Sequence, residues 1–220
     1  MADNLEYEKA CLGQGFGYIA GVDEVGRGPL AGPVTVCAVI MPLGEGQIIP
    51  EVTDSKKLSA KKREKLCALI LERAVACNVV SLPPEYIDEV NILQATKEAM
   101  RRALSGLEVR PDIALIDAVD IETVCPVKAI IKGDLLSYSI SCASIVAKVT
   151  RDKIMDDYAL IYPQYAFEKN KGYGPAAPVA AIKEYGITPI NRPTFVKTFI
   201  ETPRDKAPIA HALLGKLTKT

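Results

Sequence analysis

The chain has 220 residues, with 27 basic and 27 acidic side chains and therefore no net charge. Hydrophobic residues make up 49% and charged residues 25%, which is typical of a globular protein rather than a disordered one. No apolar run approaches the ~20 residues that span a bilayer, and no signal peptide is recognised at the N-terminus. These features predict a single-domain cytoplasmic protein that does not bind membranes.

The predicted elements alternate between short apolar strands and amphipathic helices. β-branched runs favour strands, and apolar residues at helical spacing favour helices. After a polar leader or short helix over 1–17, we predict strands over 18–24, 34–40, 78–82, 113–116 and 127–131, and helices over 61–77, 85–107, 137–160 and 178–185. Small residues in the middle of the 137–160 helix predict that it lies close to a sheet or another backbone. The order of elements predicts an α/β protein in which helices cover a mixed sheet.

The end of the first strand carries the strongest chemical signal. Asp23 and Glu24 follow an apolar run directly, and two adjacent carboxylates against a core indicate a divalent cation or a shared proton. Gly26 and Gly28 follow at once and flank Arg27. Because glycine has no Cβ, a ligand can approach the backbone N–H groups of such a turn closely. The stretch therefore predicts a metal site beside a loop that binds through its backbone.

Two further aspartates follow predicted strands. Asp117 ends the fourth strand, and Asp134 lies just beyond the fifth. Carboxylates at strand ends can converge at one edge of a sheet, where a few of them suffice to hold two hard cations such as Mg²⁺. Such a pair of ions can clamp the attacking and leaving oxygens of a phosphoryl transfer. The alternatives are a turn or cap aspartate for Asp117 and a cap of the following helix for Asp134.

Lysines and one arginine are dense between residues 56 and 65. A neutral net charge argues mildly against a nucleic-acid binder, but local clusters matter more than the sum. This segment is interpreted either as a nucleic-acid contact or as the solvated face of a helix.

Five motifs in order resemble one family, the type 2 ribonucleases H, or bacterial ribonuclease HII enzymes. The resemblance runs from about residue 18 to residue 199. The motifs are Asp23-Glu24-Val25-Gly26-Arg27-Gly28 with Leu30-Ala31-Gly32-Pro33, Asp54-Ser55-Lys56-Lys57-Leu58-Ser59, Asn91-Ile92-Leu93-Gln94-Ala95-Thr96, Ser144-Ile145-Val146-Ala147-Lys148-Val149-Thr150-Arg151-Asp152, and Lys171-Gly172-Tyr173-Gly174.

The resemblance implies a ribonuclease H-like fold with a mixed five-stranded sheet flanked by helices. With the extent of the resemblance, the residue pattern predicts a leader over 1–17, a catalytic domain over 18–200, and a tail or short helix over 201–220. The resemblance also implies a catalytic metal site that takes Mg²⁺ or Mn²⁺, with two ions when substrate is bound. The acids of that site carry over as Asp23, Glu24, Asp117 and Asp134, with Asp23 bridging both ions.

Substrate-binding residues carry over from the family as well. Those that would recognise the ribose are Gly26, Arg27, Gly28 and Tyr173, and those that would contact phosphates are Ser55, Lys56 and Lys148. The alternative for Tyr173 is an ordinary surface aromatic in a glycine loop. Arg151 and Asp152 are interpreted as partners on a helix face rather than as catalytic groups. The chain departs from the family pattern at Val25, Ala118 and Asn191, where alanine, glycine and histidine are common.

The family implies an endoribonuclease that hydrolyses the RNA strand of RNA–DNA hybrids. It would also cut 5′ of single ribonucleotides in duplex DNA, leaving 3′-hydroxyl and 5′-phosphate ends for ribonucleotide excision and primer removal. Alternatives are the ribonuclease HIII type, which cuts poorly at single ribonucleotides, a DNA strand-transfer enzyme on the same fold, and a hybrid-binding module without activity. We expect a monomer, and the tail is a conceivable docking site for a replication or repair protein.

Overall fold

The computed structural model describes residues 4–53, 55–174 and 176–200, without the side chains of Ala177 and Ile200. The predicted tail or short helix over 201–220 and motif residue Asp54 lie outside these residues.

The centre of the fold is a mixed five-stranded sheet, as predicted. The strands are β1 (Ile19–Val25), β2 (Val34–Ile40), β3 (Ala76–Leu82), β4 (Ile113–Asp117) and β5 (Val127–Ile130). Their order is β3-β2-β1-β4-β5. β2 pairs antiparallel with β1 and β3, whereas β1, β4 and β5 run parallel. Parallel strands end at the same edge of a sheet, so the C-terminal residues of these three strands meet there.

Helices cover both faces of the sheet. They are α1 (Glu6–Gly13), α2 (Ala60–Arg73), α3 (Pro84–Val90), α4 (Ile92–Ser105), α5 (Gly133–Leu136), α6 (Tyr138–Ile161), α7 (Phe167–Asn170), α8 (Ala176–Tyr185) and α9 (Pro193–Ile200). α4 packs on one face, and α6 and α2 pack on the other. Within the described ranges, no helix is both long and apolar enough to cross a membrane.

The approach of α6 to the sheet depends on one glycine. A Cβ at Gly21 of β1 would lie 2.1 Å from the carbonyl carbon and oxygen of Ser139. The small residues predicted to allow close packing of this helix, including Ser141, Ala143 and Ser144, are buried. α6 therefore lies directly against β1, the strand that carries Asp23 and Glu24.

Two of the predicted helices differ from the structure by more than two residues. The helix predicted to reach Cys77 ends at Arg73, and Cys77 lies in β3. Ala74 leaves the helical conformation, and the Val75 N–H donates to Ile40 O at 2.8 Å. Pairing with β2 thus overrides the local helical pattern. The helix predicted over 85–107 is two helices, α3 and α4, separated by Asn91 with φ 69°.

Asn91 both turns the chain and caps α4. Its Oδ1 accepts hydrogen bonds from the N–H groups of Leu93 and Gln94, at 3.0 and 3.1 Å. We expect Asn91→Ala to lower the free energy of unfolding by about 2 kcal/mol, because it removes the cap and leaves a Cβ at positive φ. Asn91→Gly should lower the free energy of unfolding by only a few tenths of a kcal/mol, since glycine is tolerated both at N-caps and at positive φ. Urea unfolding of both variants measures this difference, and equal losses would contradict the assigned backbone strain.

The N-terminal helix α1 is anchored to the start of α6. Glu8 is fully buried, and its Oε1 accepts from Ser137 Oγ at 2.5 Å and from the Ser139 N–H at 2.9 Å. The Tyr138 N–H donates to Asn4 O at 2.7 Å. Part of the segment predicted as a leader therefore packs onto the helix that supports the sheet.

Candidate metal and nucleic-acid site

The sheet register brings Asp23, Asp117 and Asp134 to one edge. Val22 pairs with Ile116 in the parallel β1–β4 ladder, so Asp23 and Asp117 follow side by side. Asp117 Oδ1 accepts a hydrogen bond from the N–H of Gly133 at 2.7 Å, and Gly133 directly precedes Asp134. The turn after β5 thereby delivers Asp134 to the same edge.

Burial and repulsion between neighbouring carboxylates disfavour ionisation of Asp23, Glu24 and Asp117. The pKa of Asp23 is raised well above its ordinary value, mainly by burial and next by the charge of Glu24. A hydrogen bond from Ser144 opposes the shift. Burial also raises the pKa of Glu24, against the opposing charge of Arg27. The pKa of Asp117 is raised by burial and further by the charge of Asp134, while the Gly133 hydrogen bond opposes this. The cluster needs positive charge to hold its carboxylates ionised.

Two basic side chains of the protein supply part of that charge. Lys56 Nζ lies 2.9 Å from Asp134 Oδ2, and Arg27 Nη1 lies 3.4 Å from Glu24 Oε1. Lys56, predicted to contact a phosphate, thus pairs with an acid, although 79% of its side chain is exposed. The predicted capping role of Asp134 is the weaker alternative, because this carboxylate faces a lysine from another segment.

The donor set suits a hard divalent cation. All four groups are carboxylates, and Glu24 Oε2 is buried with no hydrogen-bond partner among the described residues. As they stand, no three Asp, Glu, His or Cys side chains in the described ranges are close enough together to hold one ion. The fit therefore rests on the chemistry of the donors, their burial and the unpartnered oxygen.

Beside the acids, residues 26–33 form a turn that we call the glycine loop. The Gly26 N–H donates to Tyr173 Oη at 3.1 Å, and the Leu30 N–H donates to Gly172 O at 3.0 Å. Gly26 has φ +94°, and a Cβ there would lie 2.3 Å from Arg151 Nε. Arg27 and Gly28 are exposed. A specific hydrogen bond thus joins Tyr173 to the predicted ribose-binding loop. Tyr173 is therefore not an isolated surface aromatic.

The remaining predicted contacts surround the same region. Ser55 Oγ lies 2.9 Å from Ser144 Oγ, the hydroxyl that also hydrogen-bonds Asp23. Lys148 Nζ pairs with Asp152 Oδ1 at 2.7 Å and lies 5.8 Å from the centroid of the Tyr173 ring. Asp152 is therefore a partner on the helix face, as predicted.

Arg151 is not such a partner, so that interpretation was wrong. It is fully buried and donates to the carbonyls of Pro33, Ala31 and Lys171 at 2.9–3.0 Å. A sequence signal existed, because Arg151 falls on the same helical stripe as the small residues Ser144 and Ala147. Arg192, whose side chain also donates to the glycine loop, had no local signal.

The departures from the family pattern have local explanations. Ala118 adopts φ 50°, a conformation that favours glycine, directly after Asp117. Asn191 Oδ1 accepts from the N–H and hydroxyl of Thr188, at 2.7 and 2.9 Å, and so closes a turn. Val25 packs against the core beneath β2. None of the three changes replaces one of the clustered acids.

Comparisons with known proteins agree on one family. The family described as ribonuclease HII matches residues 20–202. Ribonuclease HII of Ruminiclostridium cellulolyticum is 51% identical over 198 residues, which cover 90% of this chain and 77% of the relative. Ribonuclease H2 from Pyrococcus horikoshii OT3 has a similar structure, with a TM-score of 0.70, 28% identity, and coverage of 84% of this chain and 100% of that chain. The ribonuclease HII in a PCNA complex from Archaeoglobus fulgidus is also similar. Its TM-score is 0.71 and its identity 27%, with coverage of 86% of this chain and 98% of that chain.

Proposed function

Because the chain belongs to the ribonuclease HII family, and is thus an endonuclease that acts on RNA–DNA hybrids, we propose that it also cuts at single ribonucleotides in duplex DNA. We propose that cutting occurs on their 5′ side, depends on divalent ions and leaves 3′-hydroxyl and 5′-phosphate ends. The observation that carries this proposal is the hydrogen bond between Gly26 and Tyr173 next to the acid cluster. It joins a loop with exposed backbone residues to an aromatic ring, which supports the proposal that both contact the same sugar.

In this proposal, Asp23, Glu24, Asp117 and Asp134 hold two Mg²⁺ or Mn²⁺ ions. Such ions, when bound, polarise the phosphate and lower the pKa of a water. The protein's own contribution is to fix the carboxylates in place. Ser144 restrains Asp23, and the Gly133 N–H restrains Asp117. Lys56, which pairs with Asp134, has an exposed ammonium that can turn to a substrate phosphate.

Recognition of the ribose would be independent of the base. A 2′-hydroxyl both donates and accepts hydrogen bonds, and it distinguishes RNA from DNA. Backbone groups of Arg27 and Gly28 can bind it without contacting a base edge. The Tyr173 ring would pack under the neighbouring sugar, while Ser55 and Lys148 would contact phosphates, which position a substrate without reading its sequence.

The biological role we propose is removal of misincorporated ribonucleotides and of primers, in the cytoplasm and as a monomer. The ribonuclease HII from Archaeoglobus fulgidus was crystallised with PCNA. By analogy, a replication or repair protein is the class of partner we propose for this chain.

End-labelled duplex DNA with one ribonucleotide tests the proposal, with Mg²⁺ or EDTA. We expect cutting directly 5′ of the ribonucleotide in Mg²⁺ alone, and none in EDTA or in all-DNA duplex. Cutting of long hybrids but not of this substrate would instead favour a ribonuclease HIII-like specificity. Cutting of all-DNA duplex would favour strand-transfer chemistry, and binding without any cutting would favour a binding module.

A further inference from the structure

The side of the glycine loop that faces the protein interior is held by Arg192. Its guanidinium is fully buried and donates to Gly26 O at 2.6 Å and to Arg27 O at 3.0 Å. It also donates twice to Gly32 O, at 3.0 and 2.8 Å. The ring of Phe195 lies 5.2 Å from its central carbon. A planar fork of donors can reach three carbonyls at once, which the single ammonium of lysine cannot do with the same geometry.

Bonding to these carbonyls also determines where the neighbouring N–H groups point. In a trans peptide unit, the C=O of one residue and the N–H of the next point in opposite directions. When Arg192 holds the Gly26 and Arg27 carbonyls inward, the N–H groups of Arg27 and Gly28 are directed away from it. Both residues are exposed, so these donors face the outside of the protein.

A second buried arginine connects this loop to Tyr173. Arg151 bonds to Ala31 and Pro33 of the glycine loop and to Lys171, two residues before Tyr173. Its central carbon lies 5.2 Å from the Tyr173 ring centroid. Arg151 therefore sets the spacing between the loop and the ring, whereas Arg192 sets the orientation of the loop's peptide planes.

We propose that Arg192 is a positioning residue for ribose recognition, because it aims the N–H groups of Arg27 and Gly28 at the 2′-hydroxyl. This inference rests on the proposed function. The Arg192 guanidinium is buried behind the loop and bonds to its carbonyls, so in this proposal it acts only through them. The phosphate contacts proposed for Ser55, Lys56 and Lys148 should not depend on it.

The test compares wild type, Arg192→Lys and Arg192→Met in single-turnover cutting of a duplex with one ribonucleotide. The same duplex without the ribonucleotide serves as a competitor, and its inhibition constant reports the phosphate contacts alone. We expect Arg192→Lys to raise the half-saturating concentration of the ribonucleotide duplex at least about fivefold, since the 2′-hydroxyl would lose at least one hydrogen bond from the N–H groups of Arg27 and Gly28, and each is worth a factor of about five. The inhibition constant of the all-DNA competitor should change less than about twofold.

The matched control is Arg102→Lys, at an exposed arginine of α4 that pairs with Glu98. It should leave both constants unchanged.

Equal changes in the two constants for Arg192→Lys, or no change in either, would overturn the inference. An Arg192→Lys protein that does not fold would also overturn it, because the arginine would then be required for the fold itself. If Arg192→Met is unstable, Arg192→Lys alone decides. Failure of wild type to cut the substrate would instead reject the proposed function.

Discussion

Asp23→Asn should reduce cutting to a trace and, in EDTA, raise the melting temperature of the protein. The asparagine keeps the shape of the side chain but removes a buried charge that burial and Glu24 both disfavour. Loss of the proposed bridging carboxylate should lower the cutting rate about a thousandfold, equivalent to about 4 kcal/mol in the barrier. Removing the charge should raise the melting temperature by a few degrees, since ~1 kcal/mol corresponds to about 2–4 °C in a domain of this size.

The effects of Asp23→Asn are measured by cutting of the single-ribonucleotide duplex and by thermal unfolding with EDTA and with Mg²⁺. Mg²⁺ should stabilise wild type more than the variant, because the ion binds the folded state of a site that the variant lacks. Asp120→Asn is the matched control, since Asp120 is exposed and lies three residues beyond Asp117. It should change neither quantity. Full activity of Asp23→Asn would contradict the proposed metal-binding role of Asp23. A melting temperature well below that of wild type in EDTA would contradict the claim that its buried charge destabilises the metal-free protein.

Gly21→Ala should prevent stable folding. The added Cβ would lie 2.1 Å from Ser139 O and 2.5 Å from the backbone nitrogen of Ile140. Both neighbours are backbone atoms of α6, so a change of side-chain rotamer cannot relieve the overlap. Cores are close-packed, and moving a 24-residue helix off the sheet would open gaps along its whole buried face. We expect a loss of about 4 kcal/mol or more, at the extreme of single substitutions.

Urea unfolding followed by circular dichroism measures this loss. The matched control is Gly13→Ala, because nothing lies within 4 Å of a Cβ at the end of α1. That variant should be neutral or slightly more stable, since alanine favours a helix over glycine. A Gly21→Ala protein within about 1 kcal/mol of wild type would show that α6 can shift away from β1 at little cost, contrary to ordinary core packing.

The structure also explains how a chain without net charge can present a surface for nucleic acid. Four of the 27 acidic side chains, Asp23, Glu24, Asp117 and Asp134, lie buried or partly buried at one edge of the sheet. Positive charge lies beside it, on Arg27, Lys56 and Lys148, and behind the glycine loop on Arg151 and Arg192. The sum of charges hides this separation, so the mild argument against nucleic acid binding carried little weight.

The sequence by itself determined the five strands, the α/β class and the positions of the acids. These features depend on local patterns, because an apolar β-branched run is buried as a strand wherever it pairs, and a carboxylate at its end must lie at the sheet edge. The five ordered motifs also determined the family. The proposed metal and substrate roles of these residues stay predictions until the cutting experiments are done.

Only the tertiary structure decided where α2 stops, that Asn91 divides α3 from α4, and that Arg151 and Arg192 are buried. The end of α2 depends on pairing with a strand more than thirty residues earlier. Arg192 bonds to Gly26, 166 residues away in the chain. The stripe of small residues around Arg151 was a signal of its burial, but no local pattern near Arg192 distinguished it from a surface arginine. The difference depends on whether distant carbonyls offer it hydrogen bonds, and those exist only once the chain has folded.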